Sequence, residues 1–225
     1  MKLDDPSSSI AWAGPFAVFM VLLVVMPELG VPQPWESVVR VTLIIASLFV
    51  FSRRVIDLRA PHWLASIGVG IAVFALWVAP DALFGPEYRN HWLFQNPVTG
   101  SIRSSLTPEE RDMPLVLALR SVRAMLLVPI LEELFWRGWL PRWIQNPNFT
   151  AVPLGRFTRL AFIVTAVLFA SEHGPYWEVA LLTGVIYNWW MWRTKSIGDL
   201  ILTHAVTNAA LSAYVVVTGK WEYWL

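Results

Sequence analysis

Hydrophobic residues recur along the chain in seven runs separated by polar breaks, at 10–27, 38–51, 63–84, 114–143, 160–173, 179–192 and 197–218. A helix needs roughly 17–25 mostly apolar residues to cross a bilayer. The run at 10–27 carries no charge, the run at 38–51 holds only Arg40, and the run at 63–84 holds only Asp81 near its end. A polar stretch at 85–112, with Pro86, Pro97, Gly100 and Pro108, then breaks the pattern and reads as an extramembrane loop. Within it, Thr107-Pro108-Glu109-Glu110 has the signature of a helix start: a cap, a proline at the first position and acids in the first turn. The run at 160–173 is bounded by Gly174-Pro175. The ten-residue alternation of a membrane barrel is absent. Helices satisfy their own backbone groups in lipid, so the pattern predicts an all-α fold, a polytopic transmembrane bundle of about seven helices. The expected organisation is one integral membrane domain, 1–225.

Composition sharpens this. Of 225 residues, 56% are hydrophobic and 15% charged, against about 25% charged in soluble domains. Such a chain is not disordered. With no cysteine it has no disulfide framework, Cys-ligated metal or iron–sulfur site. A net charge of +1 argues against a nucleic-acid partner. Lys2 is outweighed by Asp4 and Asp5 and no small-residue cleavage site follows, so 10–27 reads as a retained span rather than a leader. Basic residues gather in the breaks at Arg53, Arg54 and Arg59, at Arg142, Arg156 and Arg159, and at Arg193 and Lys195. Basic loops stay cytoplasmic, so the expected N-terminus is cytoplasmic, in a cytoplasm-facing membrane.

Charges inside spans are expensive and usually mark function or a specific pair. The spans hold Glu132, Glu133, Arg137, Glu172, His173, His204 and Asn208. Glu133 and Arg137, Phe169 and His173, and His204 and Asn208 are each four apart, so each pair shares a helix face. Singly, each has a structural explanation: a buried ion pair, an interfacial histidine, interhelical hydrogen bonding. Together they form a chemical set. A carboxylate can act as general base, imidazoles can orient a water or donate to an oxyanion, and an arginine can hold one of two adjacent carboxylates. Glu133 would pair with Arg137, leaving Glu132 free for water. There is no H-E-x-x-H zinc signature.

Glu132-Glu133-Leu134-Phe135-Trp136-Arg137 fits E-E-x-x-x-R, Phe169-Ala170-Ser171-Glu172-His173 fits F-x-x-x-H, and His204-Ala205-Val206-Thr207-Asn208 fits H-x-x-x-N. In this order they resemble the CPBP intramembrane proteases, the family of type II CAAX prenyl endopeptidases and bacteriocin-processing proteins. The resemblance covers 114–213, the expected catalytic core. It implies an intramembrane endopeptidase that hydrolyses a peptide bond of a membrane-anchored protein or peptide substrate in the lipid bilayer. Glu132 would activate the water, His173 would position it, His204 and Asn208 would stabilise the oxyanion, and Glu133 and Arg137 would support them. It implies no cofactor. The alternatives are a zinc enzyme with Glu132, His173 and His204 as ligands, and a non-proteolytic scaffold or sequestering protein of the same fold.

The short Trp-rich chain and Trp77-Val78-Ala79-Pro80-Asp81 are also similar to a bacterial subgroup, related to CAAX proteases and found with exosortase systems, which implies a bacterial inner membrane. Two expectations concern geometry. On the cytoplasmic-N-terminus reading, His173 lies deeper from the basic side than Glu132 or His204, so the fifth helix must tilt or start deeper. The cavity is expected to open toward the basic breaks at 53–59 and 142–159, with a lateral gap for substrate. Trp136, Trp139, Trp189, Trp190 and Trp192 are expected to be interfacial anchors or bundle packing.

Overall fold

The computed structural model describes residues 3–224; Lys2 lies outside them. The described residues form seven long helices and one single-turn helix: α1 (Ser9–Glu28), α2 (Trp35–Ser52), α3 (Trp63–Phe84), α4 (Pro108–Arg111), α5 (Pro114–Gln145), α6 (Arg159–Ser171), α7 (Trp177–Thr194) and α8 (Ile197–Thr218). Five of them, α1, α2, α3, α5 and α8, are long and apolar enough to cross a membrane. The protein is an all-α, integral membrane bundle. Successive long helices run in opposite directions, which gives it two ends. At the basic end lie the starts of α1, α3, α6 and α8; at the loop end lies the segment between α3 and α5.

Local chemistry explains the boundaries. Ser8, Thr158 and Ser196 cap α1, α6 and α8 by accepting backbone N–H groups of Ile10, Ala161 and Asp199, filling donors that a helix start leaves open. Thr107 and Glu110 make a reciprocal capping box, as the sequence anticipates, but the helix lasts one turn. Met113 precedes Pro114, and a residue before proline is pushed out of the helical region; its φ of −96° and ψ of 103° are extended.

α5 is 32 residues long and not uniform. It widens into π-helical turns at Arg123–Leu127 and Leu134–Trp139. Each turn ends just before a proline, Pro129 or Pro141. Proline has no N–H and its ring clashes with the carbonyl four residues back; a wider turn before it relieves both problems. The six residues between the turns, Val128–Glu133, carry both glutamates.

α6 and α7 form a shorter hairpin. Thirteen residues give α6 about 20 Å of rise, whereas α5 rises about 48 Å. The hairpin turn, Gly174–Tyr176, therefore lies inside the bundle. The α3–α5 loop packs onto it. Arg89, 2% exposed, pairs with Asp81 at 2.9 Å and Glu178 at 2.7 Å, donates to the Pro175 carbonyl and lies over the Tyr176 ring. Trp177 donates its indole N–H to the Leu93 carbonyl. The stretch read as an extramembrane loop is thus partly a cover packed on the hairpin turn.

Candidate active site

α5 sets two adjacent glutamates on different faces, because successive residues of a helix lie about 100° apart. Glu132 lines a cavity of about 610 Å³; Glu133 does not. Glu133, 0% exposed, accepts through Oε1 from Arg137 Nη1 at 3.2 Å and is bonded to His204 Nδ1 at 2.9 Å. Arg137 also donates Nε to Asn188 Oδ1 at 3.1 Å and lies 4.5 Å from the centre of the Phe169 ring. Asn188 in turn donates to the Phe162 carbonyl. Glu133 is therefore fixed through its Oε1 by side chains of three helices, although the Oε2 of each glutamate is buried without a hydrogen-bond partner. The division of the two glutamates expected from one arginine is present.

His173, His204 and Asn208 line the same cavity as Glu132, so the structure brings together all four candidate residues. His173 lies past the end of α6, in the turn. The helical rise of α6 ends at Ser171, two residues before His173. The His173 backbone N–H bonds to the Ala170 carbonyl, and its ring Nδ1 lies 2.7 Å from the Phe169 carbonyl. A carbonyl only accepts, so Nδ1 carries the proton and Nε2 keeps its lone pair. The ring sits 5.6 Å from that of Trp77, whose indole N–H donates to Thr183. The turn needs Gly174, with φ of +53°; a Cβ there would lie 2.8 Å from the Thr99 carbonyl.

Asn208 donates Nδ2 to the Ala124 carbonyl at 2.8 Å. The π turn explains this bond. The Val128 N–H that Ala124 would receive in an α-helix goes to Arg123 instead, and the next N–H along is missing at Pro129. A carbonyl left open by the helix is closed by a side chain from α8. Thr207 one residue earlier bonds to the Gly70 carbonyl and receives the Tyr187 hydroxyl, so the H-x-x-x-N turn of α8 is tied to three helices.

Two contributors were not singled out as site residues. Glu172 accepts the Trp136 indole N–H at 3.0 Å and lines the cavity beside Glu132. Its position next to His173 was visible in the sequence; its direction was not, because it lies past the helix end, where helical spacing no longer applies. Asn188 was legible only as a carboxamide in an apolar run.

The cavity does not open where expected. Thr99, Gly100, Ser101, Arg103, Gly174 and Trp224 line it, all at the loop end, and no residue of 53–59 or 142–159 does. Two features cause this. The short hairpin leaves the bundle hollow at the loop end, and aromatic packing closes the basic end, where Trp12 lies against Gly138 so closely that a Cβ there would sit 2.6 Å from the ring. Along one side the cavity wall is Phe19, Met20 and Leu23 of α1. Of the tryptophans, Trp136 and Trp190 are packing residues and Trp189 and Trp192 are exposed.

Among the described residues no three His, Asp or Glu groups are placed together as a metal would require. Both histidines hold Nδ1 against protein acceptors and leave Nε2 for another partner, an orientation that serves a water or a metal alike.

Residues 114–210 match a family model described as type II CAAX prenyl endopeptidase Rce1-like. This is the protease family that the three motifs resemble, and all three lie within the matched residues. No curated protein and no solved structure matches the chain.

Proposed function

We propose that the protein is an intramembrane endopeptidase in which Glu132 activates water without a metal, with the N-terminus cytoplasmic and a membrane-anchored protein or peptide as substrate. The observation that carries this reading is the contrast between neighbours: Glu132 faces a large cavity that His173, His204 and Asn208 also line, and Glu133 lies outside it, tied to Arg137 and His204. The family match at 114–210 supports the protease class.

In this mechanism the Glu132 carboxylate takes a proton from a water that accepts orientation from the His173 Nε2 lone pair. The water oxygen bonds to the scissile carbonyl carbon, and the carbonyl electron pair moves to its oxygen. His204, held at Nδ1 by Glu133, turns its Nε2 toward that oxyanion and donates to it when that nitrogen carries a proton. Asn208 has a second amide N–H beyond the one given to Ala124. Fixed donors of this kind stabilise developing charge without reorganising. The carbon–nitrogen bond then breaks, and the proton on Glu132 passes to the leaving amine. Substrate enters at the loop end or beside α1.

The test is cleavage of a panel of lipid-anchored peptides by reconstituted protein. Glu132→Gln should lower the rate about 10²–10⁴-fold, the usual worth of a general base, with unchanged thermal stability, and a chelator should leave wild-type activity intact. Undiminished cleavage by Glu132→Gln would end the mechanism. Loss of activity with chelator would favour the zinc reading, and a folded wild type that cleaves nothing would favour a scaffold.

A further inference from the structure

At the basic end, between the last turns of α5, the residues 155–158 and α7, lies a second, small cavity of about 40 Å³. Three arginines line it, Arg137, Arg142 and Arg156, and no acidic residue does. Arg137 and Arg142 are 1% and 7% exposed, and in each the Nη2 atom has no hydrogen-bond partner. Arg137 has used Nε and Nη1 on Asn188 and Glu133. Arg142 gives Nε to the Gly138 carbonyl and lies over the rings of Trp12 and Phe149, but pairs with no carboxylate among the described residues. A buried donor without an acceptor is costly, and a buried charge without a counter-charge more so.

The cavity is small. About 10–15 Å³ of such volume holds one water, so about 40 Å³ admits about three water-sized atoms, enough for part of a phosphate group with the rest at the mouth. Thr158, the cap of the thirteen-residue α6, is in its wall, so the positive end of that helix dipole adds to the field. At the mouth stand exposed Arg156, Phe157 and Trp192, with the two rings 5.5 Å apart. Aromatic side chains of this kind sit at headgroup level, and basic pockets between membrane helices hold anionic headgroups.

We propose that this pocket binds the phosphate group of an anionic phospholipid. The phosphate oxygens take the free Nη2 donors of Arg137 and Arg142, Arg156 closes over the rim, and the acyl chains run along Phe157 and Trp192. The bound phosphate supplies Arg142 with its missing counter-charge. Through Arg137 it touches the group that holds Glu133 and His204, so the lipid braces the scaffold of the large cavity from behind. This inference stands on the pocket alone and does not depend on the protease reading.

Delipidated full-length protein provides the test. Retained lipid is counted by native mass spectrometry and Tm is measured after addition of phosphatidylglycerol, phosphatidylcholine or inorganic phosphate. One phosphatidylglycerol should be retained and raise Tm, and phosphatidylcholine should do neither. Each cation removed, in Arg156→Gln and in Arg142→Gln, should weaken retention about fivefold. Arg156 is exposed, so its variant reads the site even if Arg142→Gln fails to fold. Equal retention by Arg156→Gln and wild type overturns the proposal. Protection by inorganic phosphate alone, lost in Arg156→Gln, keeps the anion site and overturns its lipid source. No protection by either overturns both and assigns the free donors to water.

Discussion

Where α3 and α8 end, the bundle encloses about 610 Å³; where they begin, the cavity among their neighbours is about 40 Å³. Both cavities are lined by three arginines, and both ends carry tryptophan. Arginine and tryptophan therefore do not separate them, although only the large cavity has glutamate and histidine in its wall. What differs is helix length and what fills the shortfall. At the loop end the α6–α7 hairpin stops early, and the covering segment seats on its turn through Arg89 without filling the space beneath. At the basic end every helix is present, and Trp12, Phe149 and Trp190 pack between them. A cavity in a membrane bundle can thus come from one hairpin being short, with ionisable groups collecting where the helix is missing.

The comparison can be broken most directly by asking which end admits water. The chain has no cysteine, so single reporters are clean. Leu211→Cys lines the large cavity and Arg193→Cys is exposed at the basic end. In sealed vesicles an impermeant thiol reagent should label Leu211→Cys from the side that labels Ser101→Cys and not from the side that labels Arg193→Cys, with a contrast of an order of magnitude or more. Labelling from the Arg193 side would invert the assignment of open and closed ends.

A second variant sharpens the same contrast by loosening the filled end. Glu133→Gln leaves the Arg137 guanidinium buried without its carboxylate, which should cost about 3–5 kcal/mol. The measurement is the denaturation midpoint in detergent, compared with Glu132→Gln, which should be close to wild type. If the two variants are equally stable, the two glutamates are not divided as argued.

The smallest effect concerns the hairpin turn. Gly174→Ala puts a Cβ at φ +53° against the Thr99 carbonyl, a strain of about 1–3 kcal/mol. Relief of that strain shifts His173, so the rate of peptide cleavage should fall by more than the fraction unfolded accounts for. A variant that loses stability in proportion to activity, and no more, would separate the turn from the positioning of His173.

Much of this was legible in the sequence, and the rest was not for identifiable reasons. The bounds 63–84 and 197–218 coincide with α3 and α8, because hydrophobic runs with clear caps or breakers are local signals. The pairing of Glu133 with Arg137 follows from one helical turn. The bond of His204 to Glu133, and that of Asn188 to Arg137, depend on which helices become neighbours, and no spacing within a helix reports that. The direction of the cavity depended on the covering loop and on the length of α6, whose apolar run to 170 could as well have continued through the turn. Asn208 shows the mixed case: its place on the face of His204 was readable, but its bond to Ala124 required knowing that a proline had opened a wide turn on another helix.

That wide turn has one more consequence. A π turn is the trace of one surplus residue in a helix, and it advances the phase of everything after it by about 100°. α5 has two, one on each side of Val128–Glu133. The short stretch between them works like a dial set independently of the rest of the rod, with Pro129 and Pro141 as its stops. Deleting one residue from Arg123–Leu127 would turn the dial by one position and change which of the two glutamates looks into the water, without altering a single functional side chain. The chemistry of this protein is thus encoded partly in a count of residues, and a comparison of sequences that slides a gap through α5 would erase the information while leaving every motif intact.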